Sequence, residues 1–289
     1  MTGSRDSIAA AFDRRATTYD RNDWHVRYAE RLVALAAPDP GMRILDAATG
    51  TGLAAIAAAR ATGPTGHVLG VDISVGMLTR ARHAVTASGL TTVDLLEADA
   101  TALPHLPGGS FDLILCSAGL LYLRVQAALR EWHRLLKPGG LVGFSTMREG
   151  FPAAAGLFRD LAGRYGLALT DPAAPLGTPA RCDRELRDAG FVPAGTVTET
   201  IRFSRTDLTD AWRAHTQGPH HDAVAALGPE RTEKFRAEYT GALARLLNSD
   251  EDRVLDSEVI YAFGRAARPE AHAPLPAQLA ETERPGHPA

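Results

Sequence analysis

Between about residues 42 and 203, short β-rich runs alternate with helical patterns, which narrows the fold more than any other feature of the chain. Residues 42–47 read as a short buried strand. Residues 53–61 read as an alanine-rich helix stopped by Gly63-Pro64, and 67–72 as a second strand. A helix at 75–88 closes at Gly89, and 93–98 is a third strand. The Gly108-Gly109 turn leads into a fourth at 110–116. A helix at 125–136 is stopped by Lys137-Pro138-Gly139-Gly140, with the lysine suited to the helix C-terminus, and a fifth strand runs over 141–146. A helix at 181–189 ends on Gly190, a strand follows near 197–203, and 257–264 is the last. Such alternation implies a mainly parallel sheet covered on both faces. Ligands of such sheets bind at the carboxyl ends of the strands, near the topological switch point.

The flanking segments differ in character. Residues 1–40 read as a helical segment closed by Pro38, Pro40 and Gly41, 41–203 as the core and 204–256 as a helical insertion. Residues 257–266 return to the core, and 267–289, rich in proline, read as a disordered tail. The whole chain has 289 residues, enough for one large core plus additions. Its net charge of -3 gives no bulk attraction to nucleic acid or anionic membrane. Lys137 and Lys234 are the only lysines, and alanine is abundant, as in a protein from a GC-rich bacterial genome. Two cysteines, Cys116 and Cys182, make neither a disulfide framework nor a zinc site. The polar N-terminus lacks a signal core, and no apolar run approaches the roughly 20 residues needed to span a bilayer. A reduced, cytoplasmic protein is expected.

The chemistry gathers at the strand ends. Asp46-Ala47-Ala48-Thr49-Gly50-Thr51-Gly52 follows the first strand and opens into a helix. Its glycines admit close backbone approach, and a helix N-terminus favours negative charge. The G-x-G-x-x-G dinucleotide fingerprint is absent. Asp72 ends the second strand, where a carboxylate accepts from two ribose hydroxyls or caps the next helix.

The turn resembles the acidic-x-G-x-G-x-G turn of class I S-adenosylmethionine-dependent methyltransferases, with Ala48 in place of the first glycine. Gly70 with Asp72-Ile73-Ser74-Val75-Gly76-Met77-Leu78 looks like that family's G-x-D-x-S-x-x-M-L segment. Residues 97–104 look like its G-D-A-x-x-L-P segment, with Glu97 where glycine is common. Ser110-Phe111-Asp112 and residues 135–140 complete the set. The nearest flavour is the ubiquinone/menaquinone-biosynthesis type and bacterial natural-product enzymes. The resemblance implies a Rossmann-like, doubly wound, seven-stranded α/β sheet, mostly parallel with an antiparallel last strand, plus a helical lid. It also implies S-adenosyl-L-methionine as cofactor. The implied contacts are Tyr19, Asp46, Ala47, Ala48, Thr49, Gly50, Gly52, Asp72, Ile73, Met77, Asp99, Ala100 and Ser117, with Asp99 and the Ala100 amide at the adenine. Tyr19 enters through the F-x-x-x-A-x-x-Y-D stretch from Phe12 to Asp20.

The acceptor is read from what is missing. Cys116-Ser117-Ala118-Gly119-Leu120-Leu121-Tyr122 lacks the Asn/Asp-Pro-Pro-Tyr/Phe pattern that grips amines, and no acidic cluster there suits Mg²⁺. No metal site is assigned. A small, fairly apolar metabolite methylated on oxygen or carbon is expected, without nucleic acid or membrane as partner and with a homo-oligomer left open. Cys116 reads as a small buried residue rather than a nucleophile. Asn22 or Asp23 would cap a helix on which His25, Tyr28 and Leu32 share a face. Thr206 or Asp207 would cap another, with Leu208, Ala211, Trp212 and His215 on one stripe. Pro229 would open a third, striped by Phe235, Tyr239, Leu243 and Leu246, and residues 217–221 would form a mobile loop between. His25 and His215 are the candidate bases; His133 is read as solvent-facing, and His220-His221 lacks a third metal ligand. The rival readings are a cofactor-binding enzyme that cyclises or rearranges without methylating, and a non-catalytic binding module.

Overall fold

In the computed structural model, residues 5–21, 23–209, 211–218 and 220–267 are described. Asn22, most of the expected tail and Pro219 of the 217–221 loop lie outside the described residues, as does the Asp23 side chain. The sheet has seven strands: β1 (Arg43–Ala47), β2 (His67–Asp72), β3 (Val93–Glu97), β4 (Phe111–Ser117), β5 (Leu136–Met147), β6 (Phe191–Arg202) and β7 (Asp256–Ala266). Their order is β3-β2-β1-β4-β5-β7-β6. Every neighbouring pair from β3 through to β5 is parallel, and β7 runs antiparallel to both β5 and β6. The expected Rossmann-like sheet with its antiparallel last strand is thus present. Chain order reverses between β1 and β4, which places the switch point beside the turn after β1.

Both sheet faces are covered because side chains alternate. On β4, Leu113 and Leu115 face one core and Ile114 and Cys116 the other. The first core holds α2 (Asp23–Ala36) and α3 (Leu53–Thr62). Ala54, Ala55, Ala58 and Ala59 of α3 are all buried, so the helix lies close against β1. The second core holds Trp132 of α5 (Val125–Leu135) and Leu186 of α7 (Pro179–Asp188). His25, Tyr28 and Leu32 of α2 are buried together, as their spacing implies.

Three local expectations are corrected. β5 begins at Leu136, so Lys137–Gly140 is strand rather than helix stop. Lys137 pairs with Asp112 at 2.7 Å instead of facing the helix dipole. β6 begins at Phe191 and not near Val197, carried past Pro193 by a register shift before Gly195. His133 is half-buried, with its ring edge-on to Phe191 at 4.9 Å.

A group of helices forms a further hydrophobic cluster beyond the two sheet faces. α6 (Ala153–Arg164), unread in the sequence, packs with α8 (Ala211–Thr216), α9 (His221–Ala225), α10 (Pro229–Ser249) and α11 (Glu251–Leu255) around Phe158, Phe235 and Tyr239. The chain leaves the sheet for this bundle at Met147 and Arg202 and re-enters at Asp256. Because β5 parallels β4 while β7 opposes it, all three points lie at the end of the sheet that carries the carboxyl ends of β1 and β4. The insertion is more broken than its hydrophobic stripes imply. Ser204, not Thr206 or Asp207, caps its first turn: its hydroxyl accepts from the Asp207 N–H at 3.2 Å, and Asp207 accepts from the Ser204 N–H at 2.7 Å. That turn ends before α8, so Leu208 and His215 do not share one continuous helix. Pro229 does open α10, and His221 opens α9 rather than lying in a loop.

Candidate functional site

β1 delivers Asp46 and Ala47 to a turn built from left-handed residues: Ala48 at φ 55°, Gly50 at 56° and Gly52 at 87°. An alanine at φ 55° costs about 1–2 kcal/mol, which is why glycine is the easier residue at 48. The turn is held by its neighbour strand. The Thr49 N–H donates to the Val71 carbonyl, and the Gly50 N–H to Asp72 Oδ2 at 2.8 Å. Asp72 Oδ1 accepts the Ser74 N–H at 2.9 Å. Ser74, and not Asp72, caps α4 (Val75–Ala87) through the Met77 N–H. Asp72 therefore joins the turn after β1 to the turn after β2. Burial shifts its carboxyl upward in pKa, against the backbone N–H groups of Ser74 and Gly50, which lower it.

Asp46 is almost wholly buried. Its Oδ2 accepts the Thr49 hydroxyl at 2.6 Å, while Oδ1 has no partner among the described residues. Desolvation pushes the carboxyl up to about 7. Asp99 Oδ1 accepts both the N–H and hydroxyl of Thr101, and the Ala100 carbonyl accepts the indole N–H of Trp132.

Two cavities lie over these strand ends. The smaller, about 30 Å³, is lined by Tyr19, His25, Tyr28, Asp46, Ala48, Thr49, Gly50, Thr51 and Ser117, among others. The larger, about 210 Å³, runs from Tyr19, Trp24, Ala118 and Tyr122 to Pro152, Arg159, Phe203, Ala211, His215 and His220. Tyr19, His25 and Tyr28 line both and form the wall between them. Of the expected cofactor residues, Tyr19, Asp46, Ala48, Thr49, Gly50 and Ser117 meet at the smaller cavity. Ala47, Gly52, Asp72, Ile73, Met77, Asp99 and Ala100 line neither. Near them lies α1 (Arg5–Arg15): Asp13 accepts from the Ser74 hydroxyl at 2.6 Å and the Gly76 N–H at 2.8 Å, and Arg5 lies 4.0 Å from Asp99. Asp20 accepts the Thr51 hydroxyl at 2.6 Å.

The candidate bases are poor bases as they stand. His25 stacks between Tyr19 and Trp24 at 4.0 and 3.6 Å, with Nδ1 unpartnered among the described residues. Burial, with Arg15 nearby, depresses it to about 3. His215 lies against Phe158 at 4.8 Å, and burial, with His220 and the arginines, takes it to about 3. Both imidazoles are neutral near pH 7 and take up a proton reluctantly. Burial also drives the Cys116 thiol well upward, so it stays protonated, as the structural reading requires. No three His, Cys, Asp or Glu side chains cluster to hold a metal among the described residues. No helix there is long and apolar enough to cross a membrane.

The sequence reading did not single out Arg15, Arg159, Asp171 or Phe151, all on the larger cavity, nor Tyr28 as part of the shared wall. Arg15 stood inside the quoted F-x-x-x-A-x-x-Y-D stretch, but only the fold shows which way it faces.

The methyltransferase domain family matches residues 44–140, the span from β1 to the start of β5. Nocamycin O-methyltransferase of Saccharothrix syringae is 32% identical over 210 residues, 66% of this chain and 75% of that one. A demethylmenaquinone methyltransferase of Listeria monocytogenes is 34% identical over 164 residues, 53% of this chain and 68% of that one. The crystal structure of a Bacillus halodurans protein described as a methyltransferase superposes with a TM-score of 0.59 at 18% identity, covering 83% of this chain and 98% of that one. With the seven-stranded order and the turn after β1, these similarities establish that the chain belongs to the class I S-adenosylmethionine-dependent methyltransferases, related to the menaquinone and natural-product enzymes.

Proposed function

We propose that this enzyme methylates an oxygen or carbon of a small, fairly apolar metabolite in bacterial secondary metabolism, with the 204–256 insertion as the lid that selects the acceptor. One observation carries the reading: two cavities, one at the glycine turn and one under the insertion, share the wall of Tyr19, His25 and Tyr28. A donor on one side and an acceptor on the other would meet there.

The residues present fit the cofactor. Asp46 Oδ1 is a buried acceptor without a partner on the smaller cavity, suited to a cationic ligand. A Cβ at Gly50 would meet nothing within 4 Å, so the turn leaves open space where a ligand would lie against the backbone. Asp46 and the turn residues 48–50 would hold the methionine end. Asp72, with Ile73 and Met77, would hold the ribose side, and Asp99 with Ala100 the adenine. When bound, S-adenosylmethionine would supply an electrophilic methyl: the carbon–sulfur pair would stay on sulfur as S-adenosylhomocysteine leaves, an oxygen lone pair or enolate carbon would take the methyl, and any proton the acceptor carries there would pass to water.

The chain's own work is mainly alignment, worth several kcal/mol of barrier. Tyr19 and Tyr28 would border donor and acceptor alike, and Trp24, Leu121, Phe203 and Ala211 give an apolar seat. His25 and His215 face that seat as neutral imidazoles. Oxygen is further supported by the nocamycin enzyme, an O-methyltransferase by name.

The test is incubation with methyl-labelled cofactor against polyketide, terpenoid and phenolic acceptors, read by mass spectrometry. Label on an oxygen or carbon, with equal S-adenosylhomocysteine, is the expected result. Acceptor changed without S-adenosylhomocysteine would instead mean a cyclase or isomerase, and label on nitrogen or sulfur would overturn the acceptor assignment.

A further inference from the structure

We propose that Arg15 binds an anionic oxygen on the acceptor, so that this site takes carboxylic acids or comparably acidic enols in preference to neutral alcohols and amides. The proposal rests on the methyl-transfer reading above and narrows its acceptor.

Arg15 is the last residue of α1 and lines the larger cavity. Its guanidinium carbon lies 5.6 Å from the ring centre of Phe12 and 5.3 Å from that of Tyr19. Its Nη1 reaches to 3.7 Å from where a Cβ on Gly218 would stand, beyond the end of α8. The charge thus sits between the wall tyrosine and the helical roof. Stacking on aromatic faces leaves the N–H edges of a guanidinium free for a planar, two-oxygen acceptor.

No carboxylate among the described residues pairs with Arg15. The cavity's other arginine, Arg159, is neutralised by Asp171 at 2.8 Å. The carboxylate of Asp207 accepts from the Ser204 N–H and hydroxyl at 2.7 and 2.8 Å. His25, His215 and His220 all shift toward the neutral form, so none competes with Arg15 for an anion. A half-buried cation facing an apolar cavity is costly unless an anion or water completes it.

The same assignment explains the shortage of bases. An anionic oxygen brings its lone pair already free of a proton, so no side chain has to remove one. The weakly basic histidines and protonated thiol are then no obstacle to turnover.

The experiment compares matched pairs: anthraquinone-2-carboxylate with anthraquinone-2-carboxamide, and 2-naphthoate with 2-naphthamide. Binding to the full chain is read from tryptophan fluorescence with S-adenosylhomocysteine present, in wild type, Arg15→Lys and Arg15→Met. The expected result is at least tenfold tighter binding of each acid than of its amide in wild type. That preference should fall to within about twofold in Arg15→Met and stay intermediate in Arg15→Lys, which keeps the charge without the fork. Amides binding as well as acids in wild type, neither acid binding, or a preference surviving Arg15→Met would each overturn the proposal. Thermal midpoints verify that the variants fold, and the wild-type comparison stands without them. Calorimetry of S-adenosylhomocysteine on the wild type separates the two readings. Its failure to bind removes the methyl-transfer reading, whereas binding without acid preference removes only the role of Arg15.

Discussion

Asp46 should couple cofactor binding and stability to pH, and Asp46→Asn should abolish both couplings. The unfolded chain releases the Asp46 proton near pH 4, whereas the folded chain holds it to about 7. Between those values the native state carries a proton that the unfolded state has lost, so stability falls as pH rises through the window and levels off above it. Three pKa units correspond to at most about 4 kcal/mol, or roughly 10 °C of melting midpoint for a chain of this size. Asp72, shifted the same way by burial, adds in the same direction. Asp112 and Glu131, held low by Lys137 and Arg134, act oppositely and at lower pH. These groups are common to wild type and variant, so the difference between the two melting curves isolates Asp46. In the folded state His25 stays neutral and Cys116 stays protonated throughout the window; His25 takes up a proton in the unfolded chain below about pH 6.5, which opposes the Asp46 effect and is likewise common to wild type and variant.

A cationic cofactor beside Asp46 favours the ionised form, so binding below pH 7 should release a proton. Affinity should then rise by up to about tenfold per pH unit from 5.5 to 7 and flatten above. Titration calorimetry in two buffers of different ionisation enthalpy measures the released proton directly. In Asp46→Asn the side-chain oxygen can still accept from Thr49, and the proton release should vanish. A wild-type stability curve that parallels the variant's from pH 4 to 7, together with no proton released on binding, would refute the reasoning.

Asp72→Asn should weaken cofactor binding more than tenfold by calorimetry, because one amide oxygen cannot serve both the Gly50 and Ser74 N–H groups and the ribose; equal affinity would contradict its placement. Phe158→Ala should cost about 3–5 kcal/mol within the bundle, since Phe158 is fully buried and packs against Trp212, His215, Phe235 and Tyr239. Acceptor KM should rise while S-adenosylhomocysteine affinity holds, and an unchanged KM would remove the bundle from acceptor selection.

What was legible in the sequence is what local rules determine. β1 reads as a short strand because Ile44 and Leu45 are apolar neighbours buried on opposite faces, and Gly50 and Gly52 stand where the backbone turns left-handed. The mainly parallel sheet followed from the alternation of strands and helices, and the antiparallel last strand from a family resemblance. β5 extended through Lys137–Gly140 against local signals because Lys137 gains Asp112, a partner 25 residues away. Helix α6 carries its stripe at Ala154, Phe158, Leu161 and Ala162, but the stripe has meaning only against α10, which follows much later. The Ser204 cap sits two residues before the expected one, where a strand end and a reciprocal serine–aspartate pair look alike in sequence. Arg15 is an ordinary helix-terminal arginine until the fold brings Gly218 to its side chain.

The wall shared by the two cavities shows how alignment is divided. Ser117 and Ala118 belong to the end of a central strand and its turn, fixed by ladder hydrogen bonds to β5 and by the Ser145 hydroxyl, which accepts the Ala118 N–H at 3.0 Å. Tyr19 lies on a segment that Asp13, on Ser74 and Gly76, and Asp20, on Thr51, anchor to the sheet side. Hydrogen bonds to charged groups contribute about 1.5–3 kcal/mol each. Thr51 borders the same cavity as Gly50, and Ser74 is held by the Asp72 carboxylate. A ligand that orders the turn after β1 therefore acts on the anchors of the segment that carries Tyr19 and Arg15. On this architecture the cofactor side and the acceptor side share one set of contacts, and filling the first should tighten the second.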